Sequence, residues 1–205
     1  MTDSNVPPNR EGEPSSSLLV RVQARDQAAW YRLVHLYTPL VCHWCQRTGL
    51  QPADVEDVGQ EVFKAVWRTI QGFRRNQASD TFRGWLRTIT RSKIVDFYRR
   101  QRAQAAAAGG SDALTLVCEV PDPQWKDTDE EADQAEASLL YQRAMELIRT
   151  TVSEKTWLAF QAYVLEGQDP AEVAATLDMN VGAVYSAKSR VLKRLHDEFE
   201  DLLDP

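Results

Sequence analysis

Between Asp54 and Arg102 apolar residues recur at helical spacing twice in succession, and the charge beside them changes sign from one run to the next. At roughly 100° per residue, Val55, Val58, Val62 and Val66 fall on one side of a helix, and Phe63, Trp67 and Ile70 widen that apolar arc. Asp54, Asp57 and Glu61 fall on another side. Two readings fit this pattern: a core helix whose early acids complement its own N-terminal dipole, or a helix that docks on a partner. Ser79 and Asp80 can start the next helix, in which Phe82, Trp85, Leu86 and Ile89 recur at core spacing. Arg83, Arg87 and Arg91 climb its other side, joined later by Tyr98 and Arg102.

From Lys64 to Arg102 there are eleven basic residues against two acids, Asp80 and Asp96, a net charge of +9. A solvated helix face is usually of mixed sign, so a one-signed stripe with aromatics beside it suits nucleic acid. The whole chain carries −6, which argues against a nonspecific nucleic-acid binder and shows that the total hides a segregated distribution. Asp96 shares the side of Phe82, Trp85 and Ile89, where a carboxylate needs a partner; Arg100, one turn on, is the expected one.

The segments Asp54-Val-Glu-Asp57-Val-Gly-Gln60-Glu61-Val-Phe63-Lys-Ala-Val-Trp67, Phe82-Arg-Gly-Trp85-Leu-Arg-Thr-Ile89 and Asp96-Phe-Tyr-Arg99-Arg100 together resemble region 2 of bacterial sigma factors, specifically the short extracytoplasmic-function group. The resemblance implies that the acidic helix docks on the clamp helices of the largest core RNA polymerase subunit, with Asp54, Asp57, Gln60, Glu61, Phe63 and Trp67 as contacts. It also implies that the loop from Phe73 to Phe82 and the helix after it read the proximal promoter element. The residues matched to that task are Phe73, Arg74, Arg75, Asn76, Phe82, Arg83, Arg87, Arg91, Ser92, Arg99 and Arg100, with separated bases stacking on Phe73 or Phe82. Where the family commonly has Asn, this chain has Ser92, a shorter side chain without a carboxamide, and that bears on base preference.

With 205 residues and 43% hydrophobic content the chain suffices for one ordinary domain or two small ones. Residues 1–16 show no apolar period and read as a disordered tail. Ser17 can cap a short helix with Leu18, Leu19 and Val22, and Asp26 another with Trp30, Leu33, Val34 and Tyr37. Pro39 then opens a third, running to about Thr48 before Gly49. Cys42, His43 and Cys45 invite a zinc reading, but a structural site needs four ligands, and the second pair is missing at any usual spacing. They read as small helix cysteines, and no metal or other cofactor is expected. Three cysteines and the lack of an apolar leader or long apolar run indicate a soluble cytoplasmic protein.

Residues 104–137 read as a flexible tether: nine acids, including Asp133 and Glu136, lie between Arg102 and Leu140 against Lys126 alone. Beyond it, a helix from Leu139 to about Thr150 is followed by one capped by Ser153 and stopped near Gly167. Asp169-Pro170-Ala-Glu172 is a well-marked helix start, and Asn180 can cap a last helix from Val181 to about Phe199. Helix, short turn, helix is a DNA-binding layout. On the last helix Val184, Val191 and Leu195 form the buried stripe, while Gly182, Ser186, Ser189, Arg190 and Lys193 lie opposite.

Glu172-Val-Ala-Ala-Thr-Leu and Val181-Gly-Ala183-Val-Tyr-Ser186-Ala-Lys-Ser189-Arg190 resemble sigma region 4. The resemblance implies that Gly182, Ala183, Ser186, Ser189, Arg190 and Lys193 face the distal promoter element. The resulting expectation is an all-α chain of two small helical domains, region 2 over 17–103 and region 4 over 138–205, joined by the acidic tether. The implied partners are core RNA polymerase and promoter DNA, with an anti-sigma factor as a further candidate and no membrane. Rival readings are a stand-alone helix-turn-helix regulator, which would need a dimer seam that no heptad supplies, and a decoy that sequesters an anti-sigma factor. An enzyme is disfavoured, since no phosphate-binding glycine loop, HExxH or GxSxG occurs.

Overall fold

The structure, a computed structural model, describes residues 17–75, 81–107 and 130–203. The helices are α1 (Leu18–Gln23), α2 (Gln27–Arg47), α3 (Pro52–Thr69), α4 (Phe82–Ala107), α5 (Glu130–Arg149), α6 (Glu154–Phe160), α7 (Pro170–Thr176) and α8 (Val181–Phe199). A 3-10 turn, Ile70–Gly72, follows α3, and a π-helical turn, Gln161–Leu165, follows α6. Among the described residues there is no strand, as the all-α expectation requires.

Local chemistry starts most of these helices where the sequence places the starts. Asp26 accepts from the backbone N–H groups of Ala28 (2.8 Å) and Ala29 (3.1 Å), and Asp169 from those of Ala171 (2.8 Å) and Glu172 (3.4 Å). Ser17, Ser153 and Asn180 cap α1, α6 and α8 in the same way, each satisfying a donor that the first turn leaves free. Gly49 ends α2 at φ +81, a conformation that favours glycine.

Two expectations need correction, and a third falls on residues outside those described. Pro39 does not open a helix; it lies inside α2. An interior proline costs about 3 kcal/mol, but Leu36, Tyr37, Leu40, Val41 and Trp44 on either side of it are fully buried. At about 1.5–3 kcal/mol for each large apolar side chain, their burial outweighs one lost hydrogen bond. Ser79 and Asp80 lie outside the described residues, and the α4 start shows a different acceptor: the Thr81 hydroxyl takes the Gly84 N–H at 3.0 Å. Finally, α5 begins at Glu130 rather than Leu139, and α4 runs on to Ala107, so both ends of the 104–137 segment are helical.

The long helix α2 is the centre of the packing, with α1, α3, α4 and α5 against it. One hydrophobic cluster extends from Leu18 through Tyr37, Val62, Phe82, Leu140 and Phe160 to Phe199 and Leu202, so the end of α8 packs into the same core as α1 and α2. A second, smaller cluster of Ala159, Val173, Ala174, Val184 and Ala187 holds α6, α7 and α8 together as a helix-turn-helix unit. No helix among the described residues is long and apolar enough to cross a membrane.

Candidate functional site

The apolar side of α3 does not close fully on α2. Between them lies an open groove of about 1020 Å³, lined by Val34, Val41, Val55, Gln60, Phe63 and Trp67 among others. Trp30 meets Trp67 edge-on at a ring separation of 4.8 Å and Phe63 at 6.3 Å. Arg25, in the left-handed region at φ 66, places its guanidinium 4.4 Å over the Trp67 ring and donates to the Trp67 carbonyl. Tyr31 stands beside the groove 64% exposed. Three candidates, Gln60, Phe63 and Trp67, thus come together with Arg25, Trp30 and Tyr31, which the sequence reading missed. For Trp30 and Tyr31 the signal is the breadth of the apolar side of α2; Arg25, which precedes α2, has none.

The acids of α3 divide. Asp57 and Glu61 turn towards a second, polar groove of about 320 Å³ shared with Phe97, Arg100, Gln101 and Gln104 of α4. Lys64, bonded to Glu61 at 2.8 Å, holds that carboxyl below its ordinary value. Asp54 is half-buried in the first turn of α3 and borders neither groove. Cys42 lines the apolar groove and Cys45 is buried in the core; burial pushes the Cys45 thiol up to about 12 and also raises Cys42, helped by the charge of Glu56. Neither is poised as a thiolate nucleophile or ligand.

On α4 the basic stripe is intact but unevenly available. Arg91, Ser92, Arg99 and Arg100 are exposed. Asp96 pairs with Arg99 at 2.9 Å and Lys93 at 3.9 Å, while Arg100 donates only to the Asp96 backbone carbonyl, so the expected Asp96–Arg100 pair does not form. Asp96 is half-exposed, and its i+3 and i−3 neighbours reach it first. Arg83 donates to the Asp133 carbonyl at 3.2 Å, and Arg87 to the carboxylates of Glu136 (2.5 Å) and Asp133 (3.2 Å). Burial works against the Arg87 charge, and these carboxylates more than offset it, so its pKa is raised.

Phe73 and Phe82, expected to offer faces to separated bases, sit in an aromatic cluster with Tyr37 and Trp85 at ring separations of 5.0 to 5.6 Å. They are 7% and 0% exposed, so neither presents a face to solvent in this conformation. Arg74 folds back onto the carbonyls of Gln71 and Phe73, and Arg75 lies 4.0 Å from Asp201. Asn76 lies outside the described residues.

On α8, Gly182, Ser186, Ser189, Arg190 and Lys193 share one exposed face, with Ala183 half-buried at its edge. The Ser186 hydroxyl donates to the Gly182 carbonyl at 2.8 Å. Lys188 is drawn aside, its ammonium 5.5 Å over the Tyr163 ring, and Arg194 donates to the Thr151 carbonyl.

The sequence model of sigma-70 region 2 matches residues 33–104, the span that holds the arginine stripe, the polar groove and the apolar groove apart from Arg25, Gln27, Trp30 and Tyr31. ECF RNA polymerase sigma factor SigE of Mycolicibacterium smegmatis is 29% identical over 177 residues, covering 84% of this chain and 63% of that protein. RNA polymerase sigma factor NccH of Alcaligenes xylosoxydans xylosoxydans is 24% identical over 198 residues, 95% of each chain. ECF RNA polymerase sigma factor SigF of Caulobacter vibrioides is 28% identical over 180 residues, 87% of this chain and 90% of its own. Over residues 33–104 the chain is similar to sigma-70 region 2, and over most of its length it is similar to several RNA polymerase sigma factors, two of them of the extracytoplasmic-function group. The exposed face of α8 lies outside the region 2 match, on the helix-turn-helix unit packed from α6, α7 and α8.

Proposed function

We propose that this chain is a sigma factor that binds core RNA polymerase and directs it to promoters, opening DNA for transcription initiation, and that it is not itself an enzyme. The observation that carries the reading is that the region 2 match falls on the helices that form the apolar groove and the basic stripe. Polymerase docking is assigned to the groove residues Gln60, Phe63 and Trp67 together with the acidic side of α3, Asp54, Asp57 and Glu61. The proximal promoter element is assigned to the α4 stripe and the loop before it, and the distal element to Gly182, Ala183, Ser186, Ser189, Arg190 and Lys193. We divide the chain accordingly, with region 2 over 17–103 and region 4 over 138–205. Two weak DNA contacts held on one polymerase raise each other's effective concentration, which is why neither surface needs to be tight alone. The partner places the protein in the cytoplasm, and the same open groove is where an anti-sigma factor would compete with polymerase.

The test is run-off transcription on fragmented genomic DNA with core polymerase from the same source, with and without the protein, reading the new 5′ ends. Discrete protein-dependent starts that share two spaced upstream motifs are expected. Tight binding of the isolated protein to a palindromic duplex, with no new starts, would replace this reading with a stand-alone regulator.

A further inference from the structure

Four acids and no base open α5: Glu130, Glu131, Asp133 and Glu136. They belong to the segment that composition alone marks as a solvated tether, yet Glu136 is only 3% exposed. One of its oxygens accepts from Trp44 Nε1 at 2.7 Å and the other from Arg87 Nη2 at 2.5 Å. Asp133 adds a carboxylate oxygen on Arg87 and a backbone carbonyl on Arg83, both at 3.2 Å. The Arg87 guanidinium, 5.4 Å over the Trp44 ring, keeps a buried Nε with no hydrogen-bond partner. A buried donor left over at an otherwise well-supplied arginine calls for an explanation.

We propose that the first turns of α5 are an intramolecular mask over the α4 stripe, holding carboxylates where DNA phosphates lie when the protein is on a promoter. The proposal rests on the reading of that stripe as DNA-binding. Arginine accepts carboxylate and phosphate with the same fork of donors, so α5 and the DNA backbone compete for Arg83 and Arg87. The mask is reversible because opening hydrates both partners of the ion pair instead of stranding one of them. The end of α8 closes over the same half of the molecule through Arg32–Glu198, the Tyr37 hydroxyl on the Leu202 carbonyl, and Arg75 near Asp201. The apolar groove stays open throughout, so polymerase can dock on the masked form and DNA is admitted once α5 lifts.

The test uses the full chain at one fixed ionic strength, because phosphate binding is salt-dependent. Two quantities are read: binding of a mixed-sequence single-stranded oligonucleotide by fluorescence anisotropy, and the radius of gyration by X-ray scattering. Asp133→Asn with Glu136→Gln keeps the shapes and an acceptor for Trp44, and leaves the Arg87 charge without a counter-charge in the closed form only. Glu154→Gln with Glu200→Gln removes the same charge from exposed positions and is the control. The masked-site variant should expand and bind about tenfold more tightly than the control, the factor for a form closed nine-tenths of the time. Adding Arg87→Ala should cancel the gain. No expansion, or a gain no larger than the control's, overturns the mask. Expansion without a gain also overturns it, and Arg91→Ala in that background then separates the two failures: weaker binding means the stripe binds DNA unmasked, and unchanged binding means the DNA reading of the stripe has failed too.

Discussion

Asp26 does two things with one carboxylate: Oδ1 caps α2, and Oδ2 receives Arg21 at 2.6 and 2.9 Å. The Ala29 N–H and the Arg21 guanidinium hold its carboxyl below the ordinary value. A carboxylate depressed in the folded state adds stability that is complete above its unfolded pKa, about 3.9, and is lost as pH falls through the lower folded value. Asp26→Ala should therefore cost about 1 kcal/mol near neutral pH by urea unfolding, and the difference from the parent should shrink below about pH 4. A loss that persisted unchanged in acid would mean the side chain acts by packing alone. Caps of this kind were legible in the sequence because donor and acceptor lie within three residues, as at Ser17, Ser153, Asp169 and Asn180. The partner of Asp96 was not, because a half-exposed acid among Lys93, Arg99 and Arg100 chooses by reach rather than by type.

At the scale of a helix, α8 was readable end to end: Asn180 caps it, and Val184 and Val191 are buried as the period requires. Asn180 Oδ1 accepts from the Ala183 N–H at 2.7 Å. Asn180→Ala should cost about 1 kcal/mol and speed amide exchange at Ala183 and Val184, beside the face assigned to the distal element; unchanged exchange there would show that packing alone fixes the first turn. Helices α2 and α5 were harder to read for one shared reason, tertiary contact overriding a local signal. Pro39 is a sound local reason to break α2, and only the burial of residues on both sides keeps the helix whole. The acids at the start of α5 look like a tether until Arg87 and Trp44, more than forty residues earlier, provide partners. The groove is a case of the same limit: α3 showed its apolar arc, but Trp30 and Tyr31 join it only because α2 packs alongside.

Two domains on a tether was the expectation, and the helix-turn-helix unit does keep a small core of its own. The larger core nevertheless takes residues from both ends of the described chain. Tyr37 is fully buried, and its hydroxyl donates to the Leu202 carbonyl at 2.8 Å. Tyr37→Phe leaves that carbonyl unsatisfied in the closed form at a cost of about 1–3 kcal/mol, so amide exchange should rise first at the end of α8. Exchange rising uniformly over α2 instead would place the loss in the region 2 core. The seam also has a history in time. Its bonds join positions 166 and 165 apart, and a ribosome adding about 5–20 residues per second needs roughly ten to thirty seconds to cover that distance. Through that interval α1 and the start of α2 are already made and wait for α8, so each new molecule begins life with this seam uncovered and shuts it only when α8 emerges.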